Sequence, residues 1–309
     1  MKNRLSIIIL TYNEEKNIEK CLRSLKDLNA PIYIIDSFSN DATESIAKSF
    51  EAAFITHPFE THVKQWKFAL ELPQIDTEWI LGLDADQELT AELAVEIKSL
   101  LAHHPIENGF YLNRRNYFLN QWIKHGGYYP RYLLKLFRKN AVYLDENEMM
   151  DHHFYVKGKT AKLKFDIIEN NLNEDLTFWI AKHNKYASLQ AHEEFKKLDL
   201  NKGKFFGQQD ERRLYLKNRW NSLPLFLRPL IYFMYRYFIQ FGFLDGIKGL
   251  IFHFLQAFWY RFLVDAKIYE LKNKRNIIHG LKLAEIVRIN QEIGCCSKTC
   301  AFQTNFSPV

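Results

Sequence analysis

The segment LSIIILTYNEE, residues 5–15, decides the fold. Leu5–Thr11 is a short, nearly continuous apolar run, the mark of a strand covered on both faces. It breaks abruptly into Tyr12-Asn13-Glu14-Glu15. Beyond the break Ile18, Cys21, Leu22 and Leu25 recur at helical spacing, so Glu14–Lys26 reads as a helix. The same unit then repeats. Ile32–Ile35 is a buried strand ending at Asp36, and Asp41–Phe50 a helix capped by Asn40 or Asp41. Ala53–Thr56 and His62–Leu72 follow as strand and helix. Trp79–Leu83 is a fourth strand ending in Asp84-Ala85-Asp86, and Thr90–Leu101 a helix with Thr90 as its cap. Such alternation predicts an α/β chain, with a largely parallel sheet carrying helices on both faces. Ligands of these sheets sit beyond the carboxyl ends of the strands. Three of those ends, at residues 11–15, 36–41 and 84–88, are polar and acidic, and all three converge on one edge.

The composition agrees. With 309 residues, 47% hydrophobic and 25% charged, the chain is globular rather than disordered or collagenous. Four cysteines make no disulfide framework, and Cys295, Cys296 and Cys300 lack enough partners for a zinc site. Reduced thiols, and a first strand with no signal-like apolar region before it, lead us to expect a cytoplasmic protein. A net charge of +6 favours an anionic partner, either a phosphorylated ligand or a membrane surface. No nucleic-acid-binding signature is present, so nucleic acid is not expected.

The middle of the chain is strand-like at Phe110–Arg114 and Tyr132–Phe137. Between them Asn120–Pro130, NQWIKHGGYYP, reads as a mobile loop whose Trp122, Tyr128 and Tyr129 either stack on sugar faces or belong to the core. Residues 173–198 return to helix, and 201–221 read as a charged linker. Pro224–Val264 is very apolar, yet charges divide it into runs shorter than the roughly 20 residues a spanning helix needs. Ile247, Leu250, Ile251, Phe254, Leu255, Phe258 and Phe262 share a helical face, with Lys248, Gln256 and Tyr260 on another. The pattern predicts helices lying in a membrane interface over about residues 222–290, with Arg228, Arg236, Lys248 and Arg261 facing anionic headgroups, and a tail over 291–309.

Asp84 and Asp86 flank a single alanine at a strand end. Strand alternation would send both carboxylates to one side, where they repel unless a cation neutralises them. Mg²⁺ or Mn²⁺ with a bound diphosphate meets that need. Taken singly, each acidic strand end also has a bland explanation as a helix cap or turn.

Thr-Tyr-Asn-Glu-Glu, Asp-Ser-x-Ser-x-Asp and Asp-Ala-Asp-x-Glu, in this order and spacing, resemble family 2 glycosyltransferases of the GT-A fold. The likeness covers roughly residues 4–170. The strings at 114–138 and 149–154 are similar to bacterial members that build lipopolysaccharide core or exopolysaccharide. The resemblance implies a transferase domain over 1–200, with a nucleotide-sugar half to about 105 and an acceptor half beyond. It implies that Thr11, Asn13, Glu14, Asp36, Ser39 and Asp84 border the nucleotide-sugar, a UDP-sugar. Asp86 and Asp84 would hold the metal, with His153 or His152 as a further ligand. Asp151, ahead of Glu146 and Glu148, would be the base of an inverting displacement. The family usually carries Asn where this chain has Lys67, so Lys64 or Lys67 is expected to face the diphosphate or simply solvate its helix. The implied acceptor is lipid-linked or a lipopolysaccharide core, which puts the enzyme on the inner face of the cytoplasmic membrane. Two other readings are a non-catalytic membrane scaffold and a sugar nucleotidyltransferase. The second would need a glycine-rich, arginine-bearing loop after the first strand, which TYNEEKN lacks.

Overall fold

The computed structural model describes residues 4–145, 153–170, 175–197 and 222–275. Its first half is the expected alternation: β1 Leu5–Thr11, α1 Ile18–Leu25, β2 Ile32–Asp36, α2 Thr43–Ser49, β3 Ala53–Thr56, α3 His62–Glu71, β4 Trp79–Asp84, β5 Gln87–Leu89 and α4 Ala91–Ala102. Then come β6 Gly109–Phe118, β7 Gln121–Trp122, β8 Tyr132–Arg138, β9 Val142–Leu144, β10 Phe154–Val156, β11 Thr160–Glu169 and α5 Leu176–Lys197. The main sheet runs β3-β2-β1-β4-β8-β6-β11-β5, with β7 paired to β6; β9 and β10 form a separate ribbon. β3, β2, β1 and β4 are parallel, whereas β8 is antiparallel to both β4 and β6. The sheet is therefore mixed: parallel through the expected nucleotide-sugar half, antiparallel on both sides of β8, and parallel again where β11 pairs with β6.

The apolar run of β1 is buried as its composition requires: Ile7, Ile8 and Ile9 are fully covered. Ile7 and Ile9 pack with Ile18, Cys21, Leu22 and Leu25 of α1, while Ile8 faces Trp66 and Ala69 of α3. Each such side chain contributes about 1.5–3 kcal/mol by leaving water. Gly82 in β4 permits the second contact, since a Cβ there would lie 3.0 Å from Trp66 and 3.1 Å from Phe154.

Two helix starts differ from the sequence reading. α1 begins at Ile18, not Glu14, because Asn13 takes a left-handed φ of 55° and residues 13–15 bond instead to the loop after β2. α2 begins at Thr43, and the Asp41 carboxylate accepts the Thr43 N–H at 3.0 Å. Thr90 caps α4 as expected, accepting from the Leu93 N–H.

The C-terminal region consists of α6, Leu227–Ile239, and α7, Gly242–Arg275, bent by 72° relative to each other. Among the described residues no single helix is long and apolar enough to cross a membrane; the bent pair meets the length and composition only together. One face of α7 is core, where Tyr260, Val264 and Ile268 pack with Ala187 and Ala191 of α5. Phe252 joins Phe118, Ile123, Tyr128 and Trp179. The opposite face carries part of the apolar set singled out in sequence: Ile247, Leu250, Phe254 and Phe262 are exposed, Ile247 by 79%, whereas Ile251 and Leu255 pack against the core and Tyr260, expected on the polar face, is buried in it.

Two expectations here need correction. Arg228 does not point outward: it is buried in ion pairs with Asp265 and Glu194. A buried arginine needs such partners, and leaving one unpaired costs about 3–5 kcal/mol. The loop at 120–130 is not loose either. Asp245, near the start of α7, takes N–H groups of Lys124 and His125 and bonds the His125 ring at 2.7 Å, and its carbonyl accepts from Gln121. The expected linker at 201–221 and the tail lie outside the described residues, with Cys295, Cys296 and Cys300.

Candidate active site

The ends of β1 and β2 form one hydrogen-bonded platform. Register pairs Thr11 with Asp36. Asp36 is buried, and its carboxylate accepts from the Thr11 hydroxyl at 2.7 Å, the Ser39 hydroxyl at 2.5 Å and the Ser39 N–H at 2.7 Å. The Ser39 hydroxyl oxygen accepts in turn from the Asn13 N–H, and Asn13 Oδ1 from the Asn40 N–H. Four residues expected at the nucleotide, Thr11, Asn13, Asp36 and Ser39, are thus brought together, with Asp36 as the strut that shapes the loop. Tyr12 and Phe38, one on each loop, are left about 60% exposed, and Phe38 adopts φ 63°. The sequence reading gave these two aromatics no role, and no periodicity at a strand end tells which way such a side chain faces.

Asp84 and Asp86 meet by a different route from the one expected. β4 ends at Asp84 and a tight turn through Ala85 and Asp86 leads into β5, so the turn, not strand alternation, sets the pair. Asp84 accepts a hydrogen bond from Lys135 at 2.9 Å. Lys135, on β8, is buried. Its position inside the alternating YLLKLF run disguised it as a surface residue. The carboxyl of Asp86 is pushed well above the usual range, first by burial, then by Glu169, Asp84 and Glu14, with Lys182 opposing. Glu14 is raised by burial and by Asp84 and Asp41, against the Asn17 hydrogen bond and Lys182. Lys182 of α5 and Lys135 supply positive charge at this edge, whereas Lys64 pairs with Glu60, just before its helix.

An edge with four carboxylates, Glu14, Asp84, Asp86 and Glu169, is opposed by Lys135, Lys182 and, at Glu169, Arg114, which leaves one carboxylate more than it has cations. The oxygen donors of Asp84 and Asp86 fit a hard divalent cation that takes its remaining ligands from a diphosphate. Among the described residues no three His, Cys, Asp or Glu side chains converge on one metal position. His153 in particular is exposed, just before β10, and the structure does not group it with Asp84 and Asp86. Glu146, Glu148, Asp151 and His152 lie outside the described residues.

A second layer stands behind Asp86. Arg114 pairs with Glu169 at 2.7 Å, and Glu169 also accepts from Gln87. Asp166 is buried and collects Asn113, Arg115 and the Tyr129 hydroxyl. Trp122 lies edge-on to Tyr129 at 4.9 Å, with Arg115 over its ring, while Tyr128 is core.

Residues 6–157 match the model of glycosyl transferase family 2. An uncharacterized glycosyltransferase of Rickettsia typhi is 28% identical over 89% of this chain and 90% of its own length. Among solved structures, S. aureus TarS 1–349 covers 88% of this chain and 92% of that one at 14% identity, with a TM-score of 0.42. Glucosyl-3-phosphoglycerate synthase of Mycobacterium tuberculosis, solved with Mn²⁺ and UDP, covers 37% of this chain and 45% of that one at 18% identity and a TM-score of 0.31.

Proposed function

Since this chain is a family 2 glycosyltransferase, we propose that it moves a sugar from a UDP-sugar to a lipid-linked or lipopolysaccharide-core acceptor, with inversion, at the inner face of the cytoplasmic membrane. The observation that carries the donor half of this reading is the unbalanced acidic edge at Asp84 and Asp86, opened towards the platform of Thr11, Asn13, Asp36 and Ser39. Tyr12 and Phe38 stand exposed on that platform and suit the flat face of a base.

In this reading Asp84 and Asp86 hold Mg²⁺ or Mn²⁺, whose charge would offset that developing on the leaving diphosphate. Lys135 holds the Asp84 carboxylate in place, and Lys182 adds a positive charge beside Glu14 and Asp86. The acceptor hydroxyl oxygen attacks the anomeric carbon as the bond to the diphosphate oxygen breaks; UDP departs and a carboxylate takes the hydroxyl proton. Asp151 is the carboxylate we assign, with Glu148 the alternative. The exposed apolar side chains of α6 and α7, among them Leu230, Ile231, Met234, Phe238, Ile239, Ile247 and Phe254, support the membrane half of the reading, because exposed apolar surface of this kind marks a docking face.

The test is donor turnover. Purified protein given Mn²⁺ and a panel of nucleotide-sugars should release UDP slowly from one of them. EDTA should stop it, and Asp86→Asn should reduce it by roughly 10²-fold or more. Full activity in EDTA overturns the metal assignment. Loss in Glu148→Gln with retention in Asp151→Asn moves the base.

A further inference from the structure

Where the loop at 120–131 meets α6 and α7, three arginines gather with no carboxylate in ion-pair contact among the described residues; Glu169 acts on one of them, Arg131, from a distance. The backbone of Arg131 is fixed against β6: its carbonyl accepts the Arg114 N–H at 2.9 Å and its N–H donates to Asn113 Oδ1 at 2.8 Å. Arg236 of α6 lies with its guanidinium carbon 4.1 Å from the centre of the Tyr128 ring and 5.4 Å from that of Tyr232. Arg261 of α7 stands 5.7 Å from the centres of the Tyr232 and Tyr260 rings. Gly127, with φ 70°, leaves room here, since a Cβ would sit 3.2 Å from Arg236 Nη1 and 2.3 Å from Gln240 Oε1. Among the described residues none of Arg131, Arg236 and Arg261 has an ion pair, and Arg236 Nε is buried without a hydrogen-bond partner.

The contrast with the neighbouring arginines is direct. Arg114, Arg115 and Arg228 each have a carboxylate within reach. A fold that pairs those three yet leaves three others, all near enough to act on the Tyr128 hydroxyl, without an ion pair stores like-charge repulsion that an anion would relieve. The mutual influence is visible in Arg131, whose proton affinity is lowered by its surroundings and by Arg114 and Arg236. The cluster also has a direction. Arg131 adjoins Arg114, Arg114 holds Glu169, and Glu169 neighbours Asp86, so one end points to the donor edge. Arg236 and Arg261 arise from the two helices whose other side is the exposed apolar face.

We propose that Arg131, Arg236 and Arg261 form the binding site for a phosphate group carried by the acceptor, and that the acceptor is amphiphilic, with its phosphate between the loop and the helices and its apolar chain along α6 and α7. This rests on the glycosyltransferase reading above and names the acceptor class for that same site. Guanidinium groups bind phosphate through paired, charge-assisted hydrogen bonds, which suits three arginines better than a lone point charge.

The experiment uses the full chain and three kinds of phosphatidylcholine vesicle: undoped, doped with a polyprenyl monophosphate, or brought to equal charge with phosphatidylglycerol. Wild-type protein should bind the polyprenyl phosphate vesicles about tenfold more tightly than the charge-matched ones. Arg131→Gln and Arg236→Gln should lose that preference, and Arg236→Lys, which keeps the charge and much of the stem, should retain part of it. Equal wild-type binding to both charged vesicles would assign the arginines to bulk headgroup charge and overturn the proposal. So would Gln variants that keep the preference. A fall in UDP affinity in the variants equal to the fall in vesicle binding would assign the cluster to the donor and overturn the proposal as well. The underlying reading fails separately, if the wild-type protein binds neither UDP nor any UDP-sugar.

Discussion

Asp86 concentrates the chemistry of the site in one carboxyl group. Its ionisation is opposed by burial and by three neighbouring carboxylates, so its folded pKa stands above its ordinary value of 3.8. A carboxyl raised in this way favours folding below its unfolded pKa and opposes it once pH climbs through the folded pKa. Asp86→Asn should therefore raise the thermal midpoint of metal-free protein at neutral pH, and the difference from wild type should vanish in acid below about 3.8, where both states are protonated. Midpoints that coincide at pH 7 would contradict the strain assigned to this group. Lys135 is the converse case. Lys135→Met leaves Asp84 without its 2.9 Å partner, and because Asp84 is about one-third exposed the cost should be about 1–3 kcal/mol, less than for a fully buried pair. Denaturant unfolding measures it, and Lys135→Arg should recover most of the loss. Asp84, Asp86 and Asp36 were legible in the sequence because acidic residues end apolar strands there. Lys135 and Lys182 were not: one sits in a strand whose alternation suggested solvent, and the other reaches the site only through the packing of α5.

At the level of elements, apolar runs and helical spacing gave the first four strands and helices, because β1, β2 and β4 are short and buried on both faces. Helix starts were misjudged where side chains bond across chain ends, as Asn13 does to the loop after β2, or serve two segments at once, as Asp41 does in accepting from both Thr43 and Glu15. The tie between the loop at 120–131 and α7 lies more than a hundred residues away in sequence, so no local pattern announces it. Gly126 tests that tie. Its φ is 66°, and a Cβ there would fall 2.0 Å from His253 Cε1. Gly126→Ala should cost roughly 2 kcal/mol or more, through backbone strain and overpacking. Gly246→Ala, at the same φ with ψ −152° but with nothing within 4 Å of the added Cβ, should cost only the backbone strain, about 1–3 kcal/mol, and no overpacking. Equal losses would mean that the loop does not rest on His253. His183, stacked at 3.5 Å on Trp179, reports on the joint between α5 and α7. Burial foremost, and Lys182, depress it to about 4 despite the hydrogen bond to the Trp179 carbonyl. Its neutral form is the one the fold keeps, so its contribution is complete above 6.5 and is lost as pH falls towards about 4. Across that window the wild type should lose about 2 kcal/mol more stability than His183→Gln, after allowance for partial exposure.

Over the whole molecule, α6 and α7 divide one helical pair between two tasks. Tyr260, Val264 and Ile268 complete the packing of α5, and Asp245 fastens the loop beside the acidic edge. The other side leaves Ile247, Leu250, Phe254 and Phe262 in the open, with Phe238 and Ile239 of α6. The sequence pointed to Ile247, Leu250, Phe254 and Phe262 of that face but also to Ile251 and Leu255, which pack inward, and it assigned the attraction largely to four cations. One of the four, Arg228, is spent on Asp265 and Glu194. Arg236 stacks on Tyr128, and Lys248 donates to the Leu119 carbonyl. If the face docks on a bilayer, apolar burial must then supply most of the free energy, at about 1.5–3 kcal/mol per large side chain, with bulk headgroup charge a smaller share. Replacing Ile247 and Phe254 together with Ser should weaken co-sedimentation with anionic liposomes by at least tenfold, while raising the salt concentration should release only part of the wild-type protein. Donor hydrolysis should be unaffected, because neither side chain approaches the strand ends. Complete release by salt with no effect of the double substitution would return the attraction to the cations. Failure of the wild type to bind liposomes at all would leave the exposed face to a second protein surface.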